Sequence, residues 1–516
     1  LLCAVYLRWT PLVPDLAAQV ARADMIRTGG LTSWWTGWFG GLSLPDYSLL
    51  VPQSMAMFGV RTTGVVSAMA ATVATSLLVR DTLRPRAGAL AFAVMITANL
   101  LDGRVTFTVG FAAAAWALVA LRARRNGPAV LLAVGAYFAS PLAGLFLGMV
   151  LVAVILTQPD YRRAAATSAS VLLVTGAVML VFFPGTGTMP FGLWNAIPGL
   201  LCCVGVALAC PARTVRSAAA VVALSVPLFL VVPSAVGTNV GRLAWVCAVP
   251  VAVACGRLPR PLLAAAAALL VSWPMADLTG QLASAHAESS QPSFYRPLTA
   301  ELAKAAAAAG PAAKGERVEV VDTANHWASV YLWASSLARG WDRQADHANN
   351  PIFYDDAQLD AASYSAWLHE LAVGWVALPA AKLDYASIAE GRLVDAGLPY
   401  LALRWSNPQW RLYRVIGATP LATGAQVLDV SGGGVTLATT AARTVHTRMR
   451  WSPYLVAIDP STGLPIRACL INAAQWVDIY VPNAQTFELT ARFAPTQRLG
   501  PPEPDCVSDL QAGEVP

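Results

Sequence analysis

The chain has 516 residues, 56% of them hydrophobic and only 12% charged, with 35 Lys+Arg against 29 Asp+Glu. A soluble domain carries about 25% charge, so an ordinary cytosolic enzyme is excluded. The +6 net charge is no nucleic-acid signal, because the arginines lie between apolar runs and form no basic surface.

The charge is unevenly spread. Residues 1–274 hold eighteen Arg and six Asp but no Lys and no Glu, so the first half reads as membrane-embedded and the second as soluble. A bilayer-crossing helix needs about 20 apolar residues. The apolar segment 1–13 is shorter, so the first helix is expected to lack its inner half. No small-residue cleavage site follows it, which argues against a signal peptide. Further apolar runs stand at 62–79, 88–101, 105–121, 128–157, 164–183, 193–210, 217–232, 241–255 and 261–273.

Two kinds of connection join these runs. One is Arg-rich: Arg80, Arg84 and Arg86; Arg122, Arg124 and Arg125; Arg162 and Arg163; Arg213 and Arg216; Arg257 and Arg260. The other, at 102–104, 184–191 and 233–242, is rich in Gly and Pro and nearly free of positive charge. Positive loops stay cytoplasmic, so the arginines orient the chain. The run 128–157 has Arg-rich flanks at both ends and is interrupted by Ala139-Ser140-Pro141, so two short helices in a hairpin are expected there. The predicted fold is a polytopic α-helical membrane protein of about eleven helical segments, with an extracytoplasmic C-terminal α/β plus β-sandwich region. Its expected divisions are a membrane domain at 1–274, a helical connector at 275–316, an outer α/β domain at 317–419 and an outer β-sandwich at 420–516. The location that follows is the cell (inner) membrane, multi-pass, with the bilayer as a partner.

The long first outer loop, 14–60, opens with a helical pattern over 15–27 and continues to Trp34, Trp35, Trp38 and Phe39. Tryptophan favours the membrane interface, so an amphipathic segment resting on the outer leaflet is expected. A sugar-stacking role is the alternative. In the second half, strands are expected at 317–321, 374–378, 400–405 and 410–416, with helices at 361–373 and 386–396, an α/β pattern. Beyond 420 come short alternating segments at 427–430, 435–439, 446–451, 476–481 and 487–493, the pattern of a β-sandwich. Six of the eight cysteines lie in or beside apolar helices, where they act as small hydrophobes. Cys469 and Cys506 lie in the outer region, where an oxidising compartment permits a disulfide.

No Walker loop, GxGxxG, GxSxG or HExxH is present, and all five histidines follow residue 285. Neither a hydrolase triad nor a dinucleotide enzyme has support. What remains is a set of polar residues on the outer ends of the helices: Arg8, Asp15, Asp46, Tyr47, Gln53, Asp102, Arg104, Asn239 and Arg242. Each has a plain structural alternative: a helix cap for Asp15, a turn for Asp46-Tyr47, a local ion pair for Asp102 and Arg104, snorkelling for Arg8. Ionisable residues at a membrane edge are costly, however, and are functional candidates together. Arg8, Arg104 and Arg242 suit a lipid phosphate, which a guanidinium clamps with parallel hydrogen bonds. Asp15 suits proton removal from a sugar hydroxyl, and Asp46, Tyr47, Gln53, Asp102 and Asn239 suit substrate binding. In the outer region, the stretches around His326 and around Trp341 and Arg343 are dense in aromatic and polar groups. They are candidates for an acceptor glycan, with core packing and surface ion pairs as the even alternative.

This architecture resembles the GT-C superfamily of membrane glycosyltransferases, whose catalytic acid stands in the first outer loop beside the first helix, as Asp15 does here. The Ala/Val/Arg-rich, Lys-poor composition most resembles actinobacterial arabinosyl- and mannosyltransferases of cell-wall assembly. The stretches 40–52, 103–110, 140–148, 237–243 and 338–344 are similar to actinobacterial membrane proteins of that general kind. The resemblance implies transfer of a sugar from a polyprenyl-phosphate donor to a cell-envelope glycan acceptor. Many members carry paired acids in that loop, whereas the next acid after Asp15 is Asp24, nine residues on. A divalent cation therefore stays open as a cofactor. A transporter or lipid flippase is the first alternative. It is disfavoured by the lack of related helical halves and by the scarcity of mid-helix charges. A non-catalytic glycan-binding envelope scaffold is the second.

Overall fold

The structure, a computed structural model, describes all residues except 186, 311–313, 333–334, 356–357, 497–505 and 509–516. Parts of the connection 184–191, of the connector 275–316 and of the region after 420 therefore lie outside the described residues. The chain forms two compact units, residues 1–23 with 45–286 and residues 24–44 with 287–516.

The first unit is helical among its described residues. In chain order come α1 (Leu2–Trp9), α2 (Pro14–Gly29), α3 (Val51–Phe58), α4 (Val60–Val79), α5 (Pro85–Leu101), α6 (Val105–Arg122) and α7 (Asn126–Ala139). They are followed by α8 (Pro141–Thr157), α9 (Arg162–Phe182), α10 (Leu193–Ala209), α11 (Arg213–Val231), α12 (Arg242–Cys255) and α13 (Arg260–Ser284). The last part of α2 belongs to the second unit. Six of the described helices are long and apolar enough to cross a membrane: α4, α6, α9 with the short turn before it, α11, α12 with the turn before it, and α13. Helices α5, α7, α8 and α10 are apolar but shorter. The helices pack through small residues, which let backbones approach closely. Ala114, Ala117, Ala120, Ala129, Ala133 and Ala136 form one buried cluster with Leu147 and Leu151. The expected break between α7 and α8 is present at Ser140, whose backbone is extended (φ −155°, ψ 112°).

The two kinds of connection gather at two ends of this unit. At one end, the Ser140 break meets the first loop, where Ser48 Oγ donates to the Ala139 carbonyl at 2.8 Å and Leu49 N to Phe138 at 2.9 Å. At that end also, Met189 N donates to the Ser234 carbonyl at 2.9 Å. A Cβ on Gly185 would stand 3.7 Å from Asp46 Oδ2. The Arg-rich connections meet one another in the same way. Arg84 Nη1 donates to the Gly256 carbonyl at 2.6 Å, Arg257 N to Ala209 at 3.0 Å, and Arg122 Nη1 to Leu78 at 3.0 Å.

The second unit contains a four-stranded sheet whose strands stand in the order Arg317–Val320, Val373–Pro379, Trp410–Val415 and Leu401–Ser406. Preceding it are β1 (Trp34–Trp35), β2 (Leu42–Ser43) and α14 (Pro292–Ala309). The α/β region then runs β3 (Arg317–Val320), α15 (Ala328–Tyr331), α16 (Arg343–Asn349), α17 (Ala361–Glu370), β4 (Val373–Pro379), α18 (Ile388–Asp395), β5 (Leu401–Ser406) and β6 (Trp410–Val415). Strands β3 and β4 are parallel and the remaining pairs antiparallel. Helix α17 begins where Asp360 accepts from Ala362 N and Ser363 N while Ser363 returns the bond, a reciprocal cap. After it come β7 (Ala422–Thr423), β8 (Gln426–Val430), β9 (Gly434–Ala438), β10 (Arg443–Arg450), β11 (Leu455–Ile458), β12 (Cys469–Ala473), β13 (Trp476–Val481) and β14 (Thr486–Ala491). They form two four-stranded antiparallel sheets, β12-β13-β10-β7 and β11-β14-β9-β8. Alternate side chains such as Val435, Leu437, Val477, Ile479, Phe487 and Leu489 fill a common core. Cys469 and Cys506 are joined by a disulfide.

The aromatic run of the first loop differs from the sequence expectation. Trp35, Trp38 and Phe39 are buried within the second unit at 1%, 1% and 0% exposure. They lie in and beside the β1–β2 hairpin instead of on a helix at the membrane surface. Thr36 N donates to the Gly432 carbonyl at 2.9 Å, Arg450 N to Gly40 at 2.8 Å, and Leu337 N to Gly37 at 2.8 Å. The indole of Trp35 lies directly over Gly432, and that of Trp38 over Gly340, at positions where a Cβ would collide with the ring. The physical reason is that these rings find glycine-floored slots within the fold, and burial there removes far more apolar surface than interfacial contact does.

Candidate functional site

The polar residues of the first unit converge on Arg104, which opens α6. Its Nη1 lies 2.6 Å from Asp102 Oδ2, its Nη2 3.0 Å from Asp277 Oδ2, and its Nε 3.3 Å from Asp15 Oδ2. The guanidinium also faces the Trp245 ring at 5.2 Å, so it links α2, the α5–α6 turn, α12 and α13. The turn is held close by Gly103 (φ +80°), whose missing Cβ would run into the backbone of Asp15 and Leu16. Only glycine combines that backbone angle with that approach. Asp102 is fully buried, while Asp15 and Asp277 are each 31% exposed.

Asp15 sits in the first turn of α2, directly after Pro14. Gln19 and Arg22 follow it on the same helical face. Gln19 Nε2 donates to Tyr47 Oη at 2.8 Å and its Oε1 accepts from Thr106; Arg22 stacks over the Tyr47 ring at 3.7 Å. Arg242, at the start of α12, donates through Nη2 to Asn239 Oδ1 at 2.7 Å and faces the Phe107 ring at 5.5 Å. Among the described residues it makes no ion pair, unlike Arg104. Gln53 Oε1 is buried and accepts no hydrogen bond among the described residues. Asp46 is half-buried beside Gly185. Arg8 is exposed in the last turn of α1, and no described hydrogen bond or ion pair joins it to this cluster.

The membrane half marked out by composition ends at 274 and leaves Asp277 outside it. An acid inside the apolar stretch Trp273-Pro274-Met275-Ala276-Asp277-Leu278 was the available signal. The spacing of Gln19 and Arg22 from Asp15 was another. Nor do these residues fit a divalent cation. The Arg104 guanidinium already stands among the carboxylates, and no three His, Cys, Asp or Glu side chains among the described residues could hold a metal ion.

The second unit brings His326, Trp341 and Arg343 together, lining one small pocket of about 20 Å³, the space of a single water. His326 and Asp384 lie in the connections that follow the C-terminal ends of the parallel strands β3 and β4, the usual ligand edge of such a sheet. His326 has φ +58°, an uncommon angle for a side-chain-bearing residue. It stacks on Trp341 at 3.4 Å, and its Nδ1 lies 2.5 Å from Asp322 Oδ2. Arg343 makes a two-pronged pair with Asp384, both contacts 2.8 Å. Burial would raise the Asp384 carboxyl, but hydrogen bonds from Arg343 and the nearby His326 bring it down to about 2.

Beneath them, Arg339 pairs with Asp346 at 3.0 and 2.6 Å and with Glu390 at 3.2 Å. Glu319 and Glu390 are both fully buried. Burial pushes Glu319 well above the ordinary carboxylate range, and pushes Glu390 up to about 7 against the pull of Arg339. A carboxyl raised by folding holds its proton more tightly folded than unfolded. Its contribution is complete below the ordinary value of 4.5 and is lost as pH rises through about 7. Hydrogen exchange of β3 and α18, corrected for intrinsic rates, should therefore show less protection at about pH 8 than at about pH 5. Equal protection at both would mean the pair does not titrate in this window.

No protein-family model matches this chain, and no curated protein matches it. In structure it is distantly similar to two solved forms of the arabinofuranosyltransferase AftD from mycobacteria, two classes of one mutant. One is 13% identical over 96% of this chain and 60% of the other, with a TM-score of 0.44. The second is 14% identical over 83% of this chain and 40% of the other, with a TM-score of 0.41. The chain thus spans 40–60% of the length of those structures. No residue of this chain takes its role from this distant likeness.

Proposed function

We propose that this protein is a glycosyltransferase that moves a sugar from a polyprenyl-phosphate donor to a cell-envelope glycan at the outer face of the cell (inner) membrane. The observation that carries the reading is the Arg104 cluster: a partly exposed carboxylate, Asp15, held by an arginine within a unit of membrane-length apolar helices, with Arg242 as an unpaired cation among the described residues. Asp15 accepts the proton of the acceptor hydroxyl as that oxygen attacks the anomeric carbon. The bond from that carbon to the phosphate oxygen breaks, and polyprenyl phosphate leaves with the electron pair. Arg242 neutralises the departing phosphate, with Arg8 at the headgroup level. Arg104, whose three nitrogens already face carboxylates, orients Asp15 instead of clamping phosphate. Asp102, being wholly buried, acts through Arg104 and does not touch substrate. Asp46, Tyr47, Gln53 and Asn239 contact the sugars, and His326, Trp341 and Arg343 serve the acceptor.

This reading includes the finer membrane arrangement: eleven helical segments with the Arg-rich end cytoplasmic, and the residues beyond α13, with divisions at 317–419 and 420–516, on the outer side. The test is an assay of the full chain in membranes supplied with polyprenyl-phosphate-linked labelled sugar and extracted envelope glycan. Donor-dependent label in the glycan supports the proposal. Uptake of label into sealed vesicles without transfer would replace it with transport.

A further inference from the structure

Arg104 has more acid around it than charge balance requires. Asp102, fully buried at 2.6 Å, already supplies the counter-charge that a sequestered guanidinium needs. Asp15 and Asp277 bring two further carboxylates to the same group. Asp277 lies within α13, one of the helices able to span a membrane, where an acid is costly and calls for a use. From its geometry we infer that Asp277 is a positioning residue of the transfer site. By holding Nη2, as Asp102 holds Nη1, it leaves Asp15 only the single, longer contact through Nε. This inference rests on the proposed transferase reading.

The contact lengths support it. Asp102 and Asp277 stand at 2.6 and 3.0 Å from the two terminal nitrogens, and Asp15 at 3.3 Å from the remaining one. A guanidinium released at Nη2 would turn toward Asp15 and engage both its oxygens in a fork. That would occupy the oxygen which must receive the acceptor proton. Asp277 therefore acts on the reaction through Arg104 and Asp15 together, without contacting the sugar.

The experiment is a double-mutant cycle on the full chain in membranes, following labelled-sugar transfer with Asp15→Asn, Asp277→Asn and the double variant. Asp277→Asn is expected to lower kcat roughly tenfold at unchanged acceptor KM, and Asp277→Glu to restore most of it. In the Asp15→Asn background, Asp277→Asn is expected to remove nothing further. Losses that multiply in the two backgrounds, which misfolding would also produce, overturn the inference. So does full activity in Asp277→Asn when Asp15→Asn is impaired, an outcome that leaves the transferase reading standing. Full activity in Asp15→Asn overturns both.

Discussion

Asp15→Asn is expected to lower sugar transfer by about 10²–10⁴-fold, the usual worth of a positioned general base, while leaving the helical unit folded. The substitution keeps the size and shape of the side chain. What disappears is the capacity to take a proton. Asp15 is 31% exposed and its contact to Arg104 is the longest of three, so the pair adds little to stability once solvent screening is counted, well under about 1 kcal/mol. A helix-capping role predicts the opposite pattern, a stability loss with little change in rate. Thermal unfolding in detergent beside transfer rates therefore separates the two roles. The position of Asp15, one residue inside α2 after Pro14, already moves it off the cap. A variant that melts early yet transfers at the wild-type rate would end its candidacy as the base.

The sequence pattern made the connections legible before the side chains. Arg-rich loops and Gly/Pro loops separate to two ends of the helical unit because each apolar run except 128–157, which doubles back at Ser140, returns the chain to the other end. The Ser140 break followed from Pro141, which cannot continue a helix. The α/β strands were legible because their alternation is bounded by turn residues. Strands β11 and β12 were not: Leu455-Val456-Ala457-Ile458 and Cys469-Leu470-Ile471-Asn472-Ala473 are short and lack an alternating signal. The candidate site was half legible. Asp15, Asp102 and Arg104 stood out as rare charges in an apolar field. Asp277 did not, because a boundary drawn by composition placed it in a soluble connector. The burial of the Trp35–Phe39 run is hidden in the sequence for a different reason. Interfacial tryptophan and buried tryptophan look identical in sequence, and the glycines that receive Trp35 and Trp38, Gly432 and Gly340, lie hundreds of residues away.

Arg104→Met should destabilise the helical unit by about 3–5 kcal/mol, the range for removing one partner of a buried charge group, and should also abolish transfer. The cost arises at Asp102. It is fully buried, and Arg104 is its ion-pair partner. The turn that carries it is pressed onto α2 at Gly103, so the carboxylate has no path to solvent. Asp15 and Asp277, partly exposed, can recruit water and contribute less. Arg104→Lys should recover only part of the loss, because a compact ammonium on a flexible stem cannot reach three carboxylates arranged around a planar fork. The decisive comparison is Arg104→Met with Asp102→Leu. Removing both members of a buried pair is often close to neutral, so the double variant should melt within about 1 kcal/mol of wild type while remaining inactive. Stability regained without activity would assign Asp102 to holding Arg104, and Arg104 to the transfer reaction through Asp15. If the single and double variants melt alike, Asp102 is neutral in the folded protein, and Arg104 owes its place to Asp15 and Asp277 alone.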